Sequence, residues 1–388
     1  MKRIFKSTTI ATGLAMFSMF FGAGNVVFPL ALGREAGNKN IFAMLGLLIT
    51  AVGVPFLGLL GMILFDGDYK KFFGRIGRVP GFLLITIIVA MIGPFAAMPR
   101  CVTLSFSAVQ TFFPGISLFI FALISLLLIF LLSVKENKIL NILGQVLGPI
   151  LIASLAIIII KGIASGSAAA VVDVSKIKMF LRGLTAGYDT MDLLATGFFS
   201  AIVLATLKNT FKIKEGDAAG YKKLAFITLK ASIIGASLLG IIYVGLSFAV
   251  SFQGTYLEGV GRDYILSVMA VNVLGPAFGI IASIAVALAC LTTAIALAVV
   301  FSDYLRFEIF KGRLGYIPAL LITLIITAIF SNFGFEGVMM IIHPMVLICY
   351  PAIITLSVLN IANKLFGIKM VKVPVYLVFI MSLIGYFW

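Results

Sequence analysis

Gly22, Gly24 and Asn25 stand in the middle of the first long apolar stretch of this chain, residues 10–32. The local sequence is F-F-G-A-G-N-V-V-F-P, from Phe20 to Pro29. Glycine disfavours helix, and an unpaired backbone amide in hydrocarbon is costly. A membrane helix tolerates such a break only where protein or a water-filled cavity surrounds it, and the break then offers backbone groups to ions and small solutes. The N–H groups of Gly22, Ala23, Gly24 and Asn25, at the positive end of a half-helix, suit a carboxylate.

A second cluster lies at M-F-L-R-G-L-T-A-G-Y-D-T-M-D-L-L-A, from Met179 to Ala195. Gly187 offers a break between a half-helix ending near Thr185 and another starting near Thr190. Carbonyls around Gly187 and Tyr188 can accept from an ammonium group. Asp189 and Asp192 are acids within or beside an apolar span, a placement that is rare unless functional. Asp192 either assists the ammonium site or holds the break together. The plainer alternative starts this span at Thr190 and leaves both aspartates at the outer surface. The third cluster is A-C-L-T-T-A-I-A-L, from Ala289 to Leu297. The hydroxyls of Thr292 and Thr293, with the Ala289 carbonyl one turn before, suit a weakly held hard monovalent cation such as sodium. Ser and Thr are also ordinary at membrane helix interfaces.

The elements that must position these groups are membrane helices. The 388 residues are 62% hydrophobic and 11% charged, and the mean hydropathy is +1.21. Soluble domains are roughly 45–50% apolar and about 25% charged, so the composition predicts an all-α polytopic membrane protein. Eleven spans are expected, near 7–32, 41–65, 81–112, 116–134, 139–160, 177–207, 224–251, 276–305, 317–330, 340–360 and 373–388. With a cytoplasmic N-terminus, 20 of the 29 Lys and Arg residues fall in inside segments and 7 outside, with Arg100 and Lys230 within spans. That bias predicts an outside C-terminus. It also accounts for the net charge of +15 without a nucleic-acid partner.

The start, M-K-R-I-F-K before an apolar run, imitates a signal peptide. The run is longer than an h-region, and small A-x-A-like residues do not end it, so a retained span is expected. Cys101, Cys290 and Cys349 are far apart in apolar segments and lack metal-type spacing. The sole histidine, His343, precedes Pro344 near a helix end, where a satisfied polar role is favoured over a proton relay. Arg100 lies about 19 residues into its span, roughly 28 Å along a helix, which predicts a place near the outer surface. The chain has no P-loop, Ser-His-Asp set or H-E-x-x-H, so ATP-driven transport and most membrane hydrolase readings lose support.

Interrupted spans in matching positions point to inverted repeats. Spans one to five and six to ten would be the two halves, at 7–160 and 177–360, with an additional span at 373–388. An odd number of spans per repeat inserts the second half upside down. Four motifs, in order along nearly the whole chain, resemble those of the branched-chain amino acid:cation symporters, the system II carriers for leucine, isoleucine and valine. They are F-F-G-A-G-N-V-V-F-P, I-G-P-F-A-A-M-P-R (Ile92 to Arg100), G-Y-D-T-M-D (Gly187 to Asp192) and A-C-L-T-T-A. The resemblance implies the five-plus-five inverted-repeat fold of the amino acid–polyamine–organocation superfamily, with helices 1 and 6 broken. It implies sodium- or proton-coupled uptake in a plasma membrane, with no cofactor beyond the coupling ion. It adds carbonyls of Ser18 and Phe21 to the sodium site. Asp189 departs from the family, where an apolar residue is expected. Members usually have twelve spans, and the missing one would lie outside both repeats, bearing on dimer contacts. Proton-coupled transport or exchange of other neutral amino acids is the near alternative. A channel or nutrient receptor is the distant one.

Overall fold

The computed structural model describes residues 2–134, 138–213 and 217–388. Lys135 and Lys214, both counted among the inside cations, lie outside the described residues, as do the side chains of Lys2, Arg3, Lys6 and Lys138. No strand occurs among the described residues. The helices of the first half are α1 (Lys2–Phe20), α2 (Ala23–Ala36), α3 (Asn40–Leu48), α4 (Val54–Leu64), α5 (Tyr69–Gly74), α6 (Arg78–Ile92), α7 (Ala97–Gln110), α8 (Leu118–Val134) and α9 (Lys138–Ala164). Those that follow are α10 (Lys176–Asp189), α11 (Asp192–Phe211), α12 (Ala218–Ser251), α13 (Ile265–Leu274), α14 (Pro276–Tyr304), α15 (Tyr316–Ser331), α16 (Gly334–Phe366) and α17 (Lys372–Phe387). Among the described residues, six helical stretches are long and apolar enough to cross a membrane, including Arg78–Gln110, Pro276–Ile309 and Gly334–Phe366.

Packing follows an exchange of halves. Helices α1 and α2 lie on α12, while α10 and α11 lie on α3 and α4. The first broken helix thus rests on the second helix of the other half, and the second broken helix does the same in reverse. Helices α7 and α14, third in each half, pack on each other. This is the five-plus-five inverted-repeat arrangement. Its outer surface is apolar: on α8, Phe119, Leu127 and Leu131 are each more than half exposed. In water such a face would be an aggregation site; hydrocarbon is the solvent that suits it.

Small residues let the broken helices approach their partners. A Cβ on Gly183 would strike the Ala43 carbonyl, and one on Gly46 would strike the Phe180 carbonyl. Across the α2–α12 contact, Gly33 meets the backbone of Ser247 in the same way. Association in lipid relies on such close packing and not on a hydrophobic force. Between α3 and α4 the chain makes one π-helical turn, Ile49–Gly53, which places the Thr50 hydroxyl 2.9 Å from the Leu184 carbonyl of α10.

Candidate functional site

The first break is at Phe21 and Gly22. The Phe21 amide closes α1 on the Phe17 carbonyl at 2.8 Å. Gly22 is extended, at φ −125° and ψ −164°, and caps α2. Asn25, in the first turn of α2, accepts from the Gly22 amide at 3.0 Å. Gly24 is needed for space: a Cβ there would lie 3.1 Å from the Thr190 carbonyl and 3.3 Å from Arg100 Nη2. Of the four amides expected to hold a carboxylate, that of Gly22 is taken by Asn25 and that of Ala23 by the Cys101 sulfur; those of Gly24 and Asn25, without an acceptor in their own helix, belong to residues that line a cavity.

The second break is not where Gly187 placed it. Helix α10 runs through Gly187 to Asp189, and the chain turns at Thr190 and Met191. Met191 is left-handed, at φ 64°. Gly187 is explained by packing instead: a Cβ there would collide with Thr50 Oγ1 and sit 2.9 Å from the Ala51 amide. The last carbonyls of α10 are engaged. Gly187 accepts from the Thr190 hydroxyl at 2.9 Å, Tyr188 from the Met191 amide at 3.0 Å, and Asp189 from Arg100 Nη1 at 2.6 Å. The Tyr188 ring packs on Tyr350, with centroids 4.8 Å apart. Neither Gly187 nor Tyr188 lines the central cavity.

The two breaks are tied directly. Asn25 Nδ2 donates to Asp192 Oδ2 at 2.7 Å and contacts the Tyr243 hydroxyl. Tyr243 itself donates to Asp192 at 3.1 Å. Tyr350 accepts from the Leu193 amide at 3.2 Å, at the start of α11. All four side chains are nearly or wholly buried. Asp192 therefore holds the breaks together through Asn25 while also lining the space between them.

That space is narrow, about 40 Å³. Its lining combines polar groups, from Gly22 to Asn25, Arg100, Thr190 and Asp192, with apolar side chains that include Ile92, Ala195, Phe199 and Leu297. A carboxylate and an aliphatic chain on one small molecule match those two kinds of group. Thr293 also lines the cavity, and a Cβ on Gly22 would lie 3.4 Å from its methyl group. The hydroxyls of Thr292 and Thr293 donate to the Ala289 carbonyl at 2.8 and 3.0 Å. Phe21 stacks on Phe17, with ring centroids 5.1 Å apart, and Ser18 is half-buried one turn before the break.

Arg100 differs most from expectation. It is 3% exposed and lines the cavity, not the surface. The run Arg78–Gln110 has 33 residues, about 50 Å of helix, longer than the hydrocarbon core. It is also interrupted after Ile92, and α7 starts afresh at Ala97. Counting residues from a surface at Gly81 therefore misplaces Arg100. The signal available in the sequence was Gly93-Pro94, a helix breaker seven residues earlier.

A larger cleft of about 680 Å³, rimmed by several charged residues, opens where α2 ends and α10 begins. Asp189 lines this cleft. Its carboxylate meets His343 Nδ1 at 2.8 Å, and Phe28 beside it carries the Arg100 guanidinium at 5.7 Å from its ring centre. His343 is inside α16 and not at its end. Glu35 pairs with Arg182, and Arg262 Nε donates to Glu336 at 2.9 Å. That partner raises the Arg262 guanidinium above its ordinary value, while burial raises the Asp263 carboxyl next to it.

The sequence of residues 5–387 matches the family described as branched-chain amino acid transport protein. The chain belongs to that family. It is 31% identical over 366 residues to the branched-chain amino acid permease BraB of Bacillus subtilis, covering 92% of this chain and 80% of the permease. It is 32% identical over 401 residues to a putative branched-chain amino acid carrier protein of Staphylococcus aureus strain USA300, covering 97% and 87%. The fold is similar to the inward-facing conformation of Mhp1, with a TM-score of 0.65 at 10% identity over 92% of this chain and 77% of that one. It is also similar to MhsT solved with L-phenylalanine, at 0.59 and 16%, over 95% and 98%. This family member is a membrane-spanning transporter and not an enzyme.

Proposed function

We propose that this chain carries leucine, isoleucine and valine into the cell by alternating access, coupled to inward sodium. The observation that carries this reading is the cavity between the two helix breaks, lined by both polar groups and apolar side chains. A zwitterion leaving water needs partners for both charges. The first-turn amides of α2 meet the carboxylate, with the positive end of the helix behind them. Asp192 faces the ammonium group, in place of the α10 carbonyls that are already engaged. One methylene in an apolar pocket is worth only about 1–3 kcal/mol, so all three branched side chains are accepted.

Sodium between the first break and α14 takes the Thr292 and Thr293 hydroxyls and the carbonyls of Ala289, Ser18 and Phe21. An ion that bridges α1 and α14 favours the one conformational state in which they meet, which is the requirement for coupling. The membrane orientation that fits the Lys and Arg bias is N-terminus inside and C-terminus outside. The cleft of Arg182, Asp189 and His343 is then the outer vestibule. The pocket of Met16, Phe17, Val52, Pro55 and Ser232, which also reaches Asp192, lies on the inner route.

The test is labelled leucine uptake into proteoliposomes with an imposed membrane potential. Inward sodium drives concentrative uptake that unlabelled isoleucine and valine suppress. Equal uptake with a sodium gradient, a proton gradient and neither overturns the coupling. Uptake with protons alone makes the proton the coupling ion.

A further inference from the structure

We propose that Arg100 is the cationic ligand of the substrate carboxylate and the residue that makes a carboxylate obligatory. The inference rests on the reading of the cavity as an amino acid site. It starts from an uncompensated charge. Arg100 is fully enclosed, and among the described residues no carboxylate lies within ion-pair distance of its guanidinium. Its polar contacts are the Asp189 carbonyl at 2.6 Å and the Met339 sulfur at 4.0 Å, both through Nη1. Its Nε is buried with no hydrogen-bond partner. A buried cation without a counter-ion is strongly unfavourable, and a guanidinium offers a planar fork that fits one carboxylate with two parallel bonds.

The position says where that carboxylate would come from. The Asp189 carbonyl and the Phe28 ring hold Nη1 and the guanidinium plane on the vestibule side. Nη2 is the atom 3.3 Å from a Cβ built on Gly24. The free end of the guanidinium therefore adjoins the first turn of α2 at Gly24. A carboxylate there has a full positive charge on one side and helix amides on the other. An amino acid bound this way also closes a circuit. Arg100 fastens the substrate to the C-terminal end of α10, so both broken helices grip it from the vestibule side.

Three consequences follow for ligand choice. L-leucinol and L-leucinamide, which keep the ammonium and the side chain, leave Arg100 unpaired and bind poorly. Arg100→Gln binds leucine less well, since the carboxylate then meets amides alone. The loss is specific to the carboxylate and does not extend to leucinol. If Arg100 served only to cap α10, its removal would weaken every ligand alike.

The experiment is equilibrium binding of labelled leucine and labelled L-leucinol to the purified full chain, wild type and Arg100→Gln. The wild type prefers leucine by about a hundredfold, the scale of truncating one side of a buried charge pair. Arg100→Gln loses most of that preference through weaker leucine binding, while leucinol changes by no more than about threefold. Equal losses for both ligands, or leucine binding unchanged, overturn the assignment while leaving the substrate reading intact. No saturable leucine binding by the wild type overturns both. A measurement that needs no folded glutamine variant is solid-state NMR of 13C-carboxyl leucine on wild-type chain labelled with 15N-arginine. A carboxyl-to-guanidinium contact within about 4 Å, absent from Arg100→Lys with its leucine retained, supports the assignment. Bound leucine with no such contact overturns it.

Discussion

At the first break, α1 and α2 part at Phe21 and Gly22, and Asn25 turns back on the Gly22 amide. At the second, α10 and α11 part at Thr190 and Met191, where a buried methionine adopts φ 64°. A left-handed non-glycine residue costs roughly 1–2 kcal/mol, offset here by burial of its side chain. The two breaks occupy equivalent places, yet glycine serves different ends in them. Gly24 leaves room for the Thr190 backbone and Arg100 beside the cavity, whereas Gly187 leaves room for Thr50 and Ala51 of the π-turn after α3. The lesson is that a glycine near a broken helix marks close approach first, and the break itself only when the approach is to the cavity.

Substitution separates the two glycines. Gly24→Leu should abolish leucine uptake while the protein stays inserted and folded, because the new side chain projects at the Thr190 carbonyl and Arg100. Gly187→Leu should instead deplete folded protein, since overpacking against fixed backbone costs about 1–3 kcal/mol or more. Uptake assays beside size-exclusion profiles read both. The same split, on a smaller scale, is expected of the two alanine variants.

The next effect is on the ion. Replacing Thr292 and Thr293 together by valine keeps volume and removes both hydroxyls, so sodium should no longer stimulate uptake. If sodium dependence is unchanged, the ion sits elsewhere. Below that come the two aspartates. Asp192→Asn disturbs the hydrogen bonds that join Asn25 and Tyr243 across the breaks, and uptake should fall by roughly ten- to a hundredfold, the scale of weakening a buried charged network. Asp189→Asn should lose less, because its carboxylate meets only the half-exposed His343. The reverse order in an uptake assay would make Asp189 the functional acid.

The smallest effect is expected on the vestibule side. Glu35 and Arg182 join the end of α2 to α10, with side chains 43% and 53% exposed. Glu35→Gln should alter thermal stability by less than about 1 kcal/mol. A large shift would mean that this pair, and not the Asn25–Asp192 link, holds the halves together.

Much of the fold was legible because membrane helices write themselves in composition and length. The first break was legible because glycine and asparagine sit where an apolar helix should be regular. The second was displaced by a few residues because handedness at Met191 is set by tertiary packing and carries no side-chain signature. Asp192 was legible as an intramembrane acid, but its partner Tyr243, far along the chain on α12, was not. Arg100 was read from helical rise alone, which fails once Gly93 and Pro94 interrupt the span. The threonine pair was legible as hydroxyls on one patch of α14, and the structure brings Thr293 to the first break.

The central claim is that the substrate lies between the two breaks. A cryo-electron microscopy structure of the purified chain with leucine and sodium tests it most directly. The account predicts leucine density with its carboxylate at the first turn of α2 and its side chain against Ile92, Phe199 and Leu297. Leucine found only in the cleft of Arg182 and His343, with the cavity filled by protein side chains, would contradict it.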